Sequence, residues 1–263
     1  MRADKASVAG VLLALGGILA GLLLEGGRLS QILQPTAAMI VFGGTLGAVM
    51  IQFPLSVVLD AFRRMGSVFF HADRDPEATV RQLVTYAQKA RREGIISLDA
   101  DLPQIEDPFL RRSLMLAVDG TEPQELRKMM ELELDNQAEH EERSPQVFES
   151  AGGFAPTIGI IGAVLGLIQV MQHLDKIDEV GKGIAVAFVA TIYGVGSANL
   201  LYLPAAGKMR IRIRNEQIMR EMTLEGVASI LEGVNPHVLE SKLLGFLVEA
   251  RKTEEENVEE PVE

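Results

Sequence analysis

Four stretches of the chain, residues 6–24, 29–59, 150–174 and 183–207, hold no Asp, Glu, Lys or Arg. Their candidate polar groups are hydroxyls and amides: Thr45, Thr191, Tyr193, Ser197 and Asn199. Such oxygens can ligate a hard cation or exchange hydrogen bonds. A protein that moves protons by itself usually buries an ionisable side chain as a relay, and none is present here. Either the chain moves no ions, or a partner contributes the titrating group.

Other chemistries are poorly supplied. Cys is 0, which excludes a disulfide framework, a thiolate metal site and a cysteine nucleophile. The 4 His show no pair at ligand spacing, so neither a metal nor a cofactor is expected. No nucleophile–base pair or phosphate loop is visible, and an enzyme is the least supported class. Trp is 0 and aromatics are 5%, and 25 Lys and Arg against 36 Asp and Glu give a net charge of −11. Nucleic acid is therefore not an expected partner.

The uncharged runs are the elements that must position these groups. A helix crosses a bilayer with about 20 apolar residues, and four such runs specify an all-α integral membrane protein with four transmembrane helices. The expected organisation is an N-terminal hairpin over 1–59, with spans near 6–24 and 32–53, then a helical domain over 60–149. Spans three and four follow within 150–207, then C-terminal helices over 208–252 and an acidic disordered tail over 253–263. The first run follows Lys5 like a signal peptide, but Glu25-Gly26-Gly27-Arg28 leads straight into another apolar run, so it reads as a retained span. Arg63 and Arg64 follow the second run, and Lys208, Arg210, Arg212 and Arg214 follow the fourth. The excess of basic residues places these segments and both termini in the cytoplasm.

Between spans two and three, Asp75-Pro76-Glu77 supplies an N-cap, a first-turn proline and an acid, and Gly94 ends the helix they open. Asp107-Pro108 opens a second helix that closes near Gly120, and Thr121-Glu122-Pro123-Gln124 opens a long charged third. After the fourth span an amphipathic helix runs to Asn235-Pro236, and a shorter helix follows.

Small residues recur at four-residue spacing: Gly162 and Gly166, Ala190, Gly194 and Ala198, Gly17 and Gly21, Gly43 and Gly47. They allow close helix approach, either within one subunit or toward partner helices. Pro156 and Pro204 each remove a helix hydrogen bond and are candidate bends, or simply helix-end prolines.

These residues also form longer motifs. Residues 155–167 (APTIGIIGAVLGL) and 181–194 (GKGIAVAFVATIYG) resemble the MotA/PomA family, the A subunit of the bacterial flagellar stator. Asn199 to Ala206, Glu232-Gly233-Val234-Asn235-Pro236 and Phe42-Gly43-Gly44-Thr45 extend the resemblance. It implies a homopentamer in the bacterial inner membrane around two B subunits of MotB/PomB type. Each B subunit contributes an ion-carrying Asp and a peptidoglycan-binding domain. Spans three and four would line the ion path, with Thr191 facing that Asp, and spans one and two would meet membrane lipids. Arg91 and Asp99 match a charged pair that contacts the rotor protein FliG, with Arg92, Glu93 and Asp101 nearby. Asp99 stands where the family often has Glu.

Sodium-type members carry Thr after the Ile-Gly of the third span, where this chain has Ala163, and a methyl group offers a sodium ion no ligand. That favours protons, although Thr157 could supply an oxygen from another turn; Tyr193, in the same stretch as Thr191, is a further expected path residue. The nearest rival, the ExbB/TolQ ion-driven energisers, has three spans, and the extra N-terminal hairpin favours the stator. A self-contained transporter or a passive membrane scaffold are the other classes.

Overall fold

A computed structural model describes residues 2–71 and 75–259. The chain divides into two compact units, residues 1–73 with 141–211 and residues 74–140 with 212–263.

The first unit begins with α1 (Lys5–Leu24), whose start is capped by Asp4 accepting from the backbone N–H of Ala6 and Ser7. Its 20 residues reach about 30 Å, the thickness of a hydrocarbon core, and none of them is buried within the subunit. Asp4 also pairs with Lys208 at 2.7 Å, tying the start of α1 to the far end of the fourth span.

The second apolar run is broken by its own residues. Short helices α2 (Leu29–Ile32) and α3 (Pro35–Ala38) are separated at Leu33-Gln34, a π-helical turn occupies Met39–Gly43, and α4 (Gly44–Gln52) completes the span. Pro54 then starts α5 (Leu55–Phe69), which carries the chain out of the span. Arg2–Ala3 pairs antiparallel with Phe70–His71, the one strand pairing among the described residues.

The second unit contains α6 (Pro76–Glu93), a 3₁₀ segment (Ile95–Gln104) and α7 (Pro108–Val118). The N-caps are the expected Asp75 and Asp107, and Gly94 and Gly120 terminate helices with φ of 87° and 84°, where a side chain would be strained. Then α8 (Pro123–Gln172) runs without interruption through Pro145 and Pro156 into the third span. The fourth span is α9 (Ile177–Ser197), followed by a π-helical turn (Ala198–Tyr202) and α10 (Leu203–Leu231). Gly233 (φ 73°) and Pro236 separate α10 from α11 (Pro236–Glu259). The expected tail from residue 253 is thus helical backbone to Glu259, and residues 260–263 lie outside the described residues.

The units divide away from the compositional boundaries at 59, 149 and 207 because the helices outlast their apolar runs. In the first unit Val58 and Ala61 of α5 are buried with Phe148 of α8 and Ala206 and Met209 of α10. In the second, Leu83, Leu98, Leu114, Leu126, Met222 and Leu239 form one core with 0% exposure each. Truncating any one of these leucines to Ala would cost about 2–5 kcal/mol.

Candidate functional site

Spans three and four meet along a seam of small residues. Gly159 opposes Gly194, Gly162 opposes Ala190, and Gly166 opposes Ala187 and Gly183, so numbers rise on α8 as they fall on α9 and the pair is antiparallel. A methyl group added to Gly194 would sit 2.5 Å from the Ala155 carbonyl oxygen, and one added to Gly159 2.9 Å from that of Ala190. Only hydrogen fits there, and the backbones touch. These glycines therefore pack the subunit's own helices, whereas Gly17, Gly21, Gly43 and Gly47 have open space around them.

The seam has two sides. One is occupied by the second span: Ile158 lies against Gly44, and Ala37 and Val41 are buried with Val189 and Ala190. Each helical residue advances about 100°, so Ala163 and Thr191 stand one step beyond the opposed pair Gly162–Ala190. Because the helices are antiparallel, both steps lead to the same side, away from the second span, at one level. Ala163 and Thr191 are half-buried there, beside exposed apolar side chains such as Phe188, 69% accessible, and Val164. The Thr191 hydroxyl donates to the Ala187 carbonyl at 3.2 Å, so its lone pairs are the polar feature it offers this open face.

Tyr193 takes the other direction. Its hydroxyl donates to the Ile32 carbonyl at 2.5 Å and accepts from the Gln34 N–H at 3.3 Å, while its ring stacks on Phe42 with centroids 5.7 Å apart. It fastens the fourth span to the second and does not join Thr191. Thr157 is exposed two residues before Gly159, on the back of α8 from the seam, and donates to the Phe154 carbonyl at 2.8 Å. Of the four expected path residues, Ala163 and Thr191 are brought together.

Pro156 sits inside continuous α-helix, whereas Pro204 lies two residues after the π turn, which absorbs the mismatch of a residue without an N–H. Asn199 Nδ2 donates to the Val195 carbonyl at 2.9 Å and Ser197 to that of Gly194 at 3.2 Å, satisfying acceptors where the helix changes pitch. The Thr45 hydroxyl is buried with no hydrogen-bond partner among the described residues.

In the second unit Arg91 and Arg92 occupy the last turn of α6, with Glu93 at its end and Asp99 on the 3₁₀ segment. All four are exposed, and their side chains make no ion pair among the described residues. The sequence reading missed Lys89. Its ammonium holds Asp101 at 2.6 Å, with both side chains near 28–29% accessible, and so braces the 3₁₀ segment against α6. A second anchor joins α8, α10 and α11: Arg127 reaches Glu225 at 2.5 Å and Glu232 at 3.3 Å, and Lys242 also contacts Glu225. The Arg127 guanidinium, with help from Lys242, holds the Glu225 carboxyl at a pKa of about 2 despite its partial burial. Partners 98 residues apart leave no spacing signal in the sequence.

Among the described residues, four helices long and apolar enough to span a membrane, one pair of them glycine-packed along uncharged stretches, define a multi-pass membrane subunit. Residues 101–222 match the MotA/TolQ/ExbB proton channel family, and residues 8–94 match the Motility protein A N-terminal family. Motility protein A of Bacillus subtilis is 37% identical over 251 residues, covering 93% of this chain and 91% of the relative. Chemotaxis protein PomA of Vibrio alginolyticus is 27% identical, covering 95% and 97%. Among solved structures, the flagellar MotAB stator complex of B. subtilis superposes with a TM-score of 0.86 at 35% identity, covering 95% of this chain and 99% of that one. C. jejuni MotAB superposes with 0.87 at 30% identity, covering 92% and 95%. The chain belongs to the motility protein A family, within the MotA/TolQ/ExbB proton channel family.

Proposed function

We propose that the chain is the A subunit of a bacterial flagellar stator. With a B subunit of MotB/PomB type, it couples inward cation flow to rotation and so to torque on the flagellar rotor. The observation that carries this reading is the open face of spans three and four. It is apolar, bears Thr191 level with Ala163, and contains no carboxylate, so it is a wall that needs a visiting acid to carry an ion. The family's solved complexes pair a MotA chain with a MotB chain, which supports a B subunit as the source of that acid. Protons are the favoured ion, because the Ala163 methyl supplies no ligand to sodium.

The subunit resides in the bacterial inner membrane with both termini cytoplasmic, as the basic residues at 63, 64, 208, 210, 212 and 214 favour. Several copies, five by family resemblance, surround the B subunits. The exposed Arg91, Arg92, Glu93 and Asp99 form the surface for FliG. The family model over residues 101–222 is shared with TolQ and ExbB, but the match of residues 8–94 to the motility-protein N-terminal segment favours the stator over an outer-membrane energiser.

Co-expression with a B subunit of MotB/PomB type, in cells lacking their own stator, tests the reading. Swimming restored only by the pair, and a cation leak seen only with the pair, is the expected result. Specific proton flux through this chain alone in liposomes overturns it.

A further inference from the structure

A cavity of about 520 Å³ lies on the occupied side of the seam, bounded by α3, the first π turn and the adjoining ends of α8 and α9. It is separate from the face that bears Thr191. Its floor is the Gly166–Gly183 contact, and Ile40, Leu165 and Val186 give it apolar walls. Its mouth is polar, with His173, Glu179 and Lys182. The Glu179 carboxylate is already engaged by Lys176 Nζ at 3.2 Å, with His173 Nε2 3.3 Å away. Lys182 is exposed and has no hydrogen-bond or ion-pair partner among the described residues. It is also the last charged residue before the uncharged run 183–207, so it stands where the fourth span enters hydrocarbon.

An unpaired ammonium at the membrane surface, above a slot with apolar walls, is complementary to an amphiphile with an anionic head and a hydrocarbon tail. A lysine at the interface attracts the lipid phosphate, and the apolar walls take the tail. We propose that the groove seats one phospholipid of the surrounding leaflet, its phosphodiester on Lys182 and an acyl chain against Ile40, Leu165 and Val186. A free phosphate would satisfy the lysine and leave the walls bare. The inference rests on the membrane placement given above, and the groove's walls belong to the subunit itself.

The test uses the co-expressed A and B complex in vesicles of phosphatidylethanolamine and phosphatidylglycerol carrying a trace of phospholipid with a diazirine on its acyl chain. After illumination, label is expected on the peptides holding Leu165 and Val186. Lys182→Gln should lower that yield about fivefold, the factor one lysine near a membrane surface is worth, and Lys182→Arg should retain it. Equal label in Lys182→Gln and the parent, or no label on these peptides in the assembled complex, overturns the proposal. Suppression of the label by inorganic phosphate also overturns it, in favour of a free anion. Lys176→Cys should react with an impermeant thiol reagent from outside the cell. Reaction from the cytoplasmic side would sink the orientation proposed above and leave the groove result standing.

Discussion

The Tyr193 hydroxyl rests 2.5 Å from the Ile32 carbonyl oxygen, 161 residues away in the chain. That bond, with the Gln34 N–H donating to the Tyr193 hydroxyl, closes the fourth span onto the start of the second. Two neighbours on one helix, Thr191 and Tyr193, therefore face different environments and should fail differently. Tyr193→Phe should lower the thermal stability of the purified complex by about 1–3 kcal/mol, as two lost hydrogen bonds do, and leave ion choice unchanged. Thr191→Val should leave assembly and melting close to the parent while reducing torque in a tethered-cell assay. Normal swimming of Thr191→Val would remove Thr191 from the path.

The seam gives a sharper contrast. Gly194→Ala places a methyl 2.5 Å from a backbone oxygen that cannot swing aside, so the helices must separate, at a cost of about 1–3 kcal/mol. Gly181→Ala, on the same helix with open space around it, should be neutral or stabilising by a few tenths. Melting of the detergent-solubilised complex reads both; equal melting temperatures would mean the seam is looser than its contacts indicate.

The four helix boundaries marked by Asp75-Pro76, Gly94, Asp107-Pro108 and Asn235-Pro236 were legible in the sequence because caps and prolines act on their immediate neighbours. So were the spans, since an uncharged run of about 20 residues has few other stable fates. The Ala163–Thr191 pairing was half legible: each residue stood out, but their shared side follows from the register that Gly162 and Ala190 set. Tyr193 was grouped with Thr191 by proximity in sequence, and only the path of residues 32–34 shows where its hydroxyl goes. Lys89–Asp101 and Arg127–Glu225 join separate elements, and no local periodicity encodes such pairs.

On the candidate rotor surface the structure distinguishes two kinds of charge. Lys89 and Asp101 should show a coupling of roughly 0.5–1 kcal/mol in a double-mutant cycle, near the upper range for exposed pairs, whereas Arg91 and Asp99 should show none. Arg91→Glu should reduce torque with assembly and melting intact. Lys89→Met should reduce it less, by loosening the segment that displays Asp99. Stall torque measured with beads, beside melting of the complex, checks both.

Glu225 sets an acid limit on the second unit. Its carboxyl pKa is about 2 in the fold against an ordinary 4.5, so it adds stability that is complete above about pH 4.5 and is lost as pH falls toward 2. Partial solvent access reduces the contribution to about 1–2 kcal/mol. Glu225→Gln should lower stability by that amount at pH 7 and flatten the acid limb of the melting profile between pH 4.5 and 2. An unchanged acid limb would mean that the Arg127 contact contributes nothing in solution.

The wide turn at Ala198–Tyr202 sets the angular phase of everything after it. Such a turn is equivalent to one residue added to an α-helix, a rotation of about 100° for whatever follows. Lys208 meets Asp4, and Arg210 meets Glu142 and Glu149, only in that rotated frame. Loss of a single residue from this turn would leave the helix intact and the composition nearly unchanged, yet swing all three contacts out of reach. Length here is held as tightly as residue type.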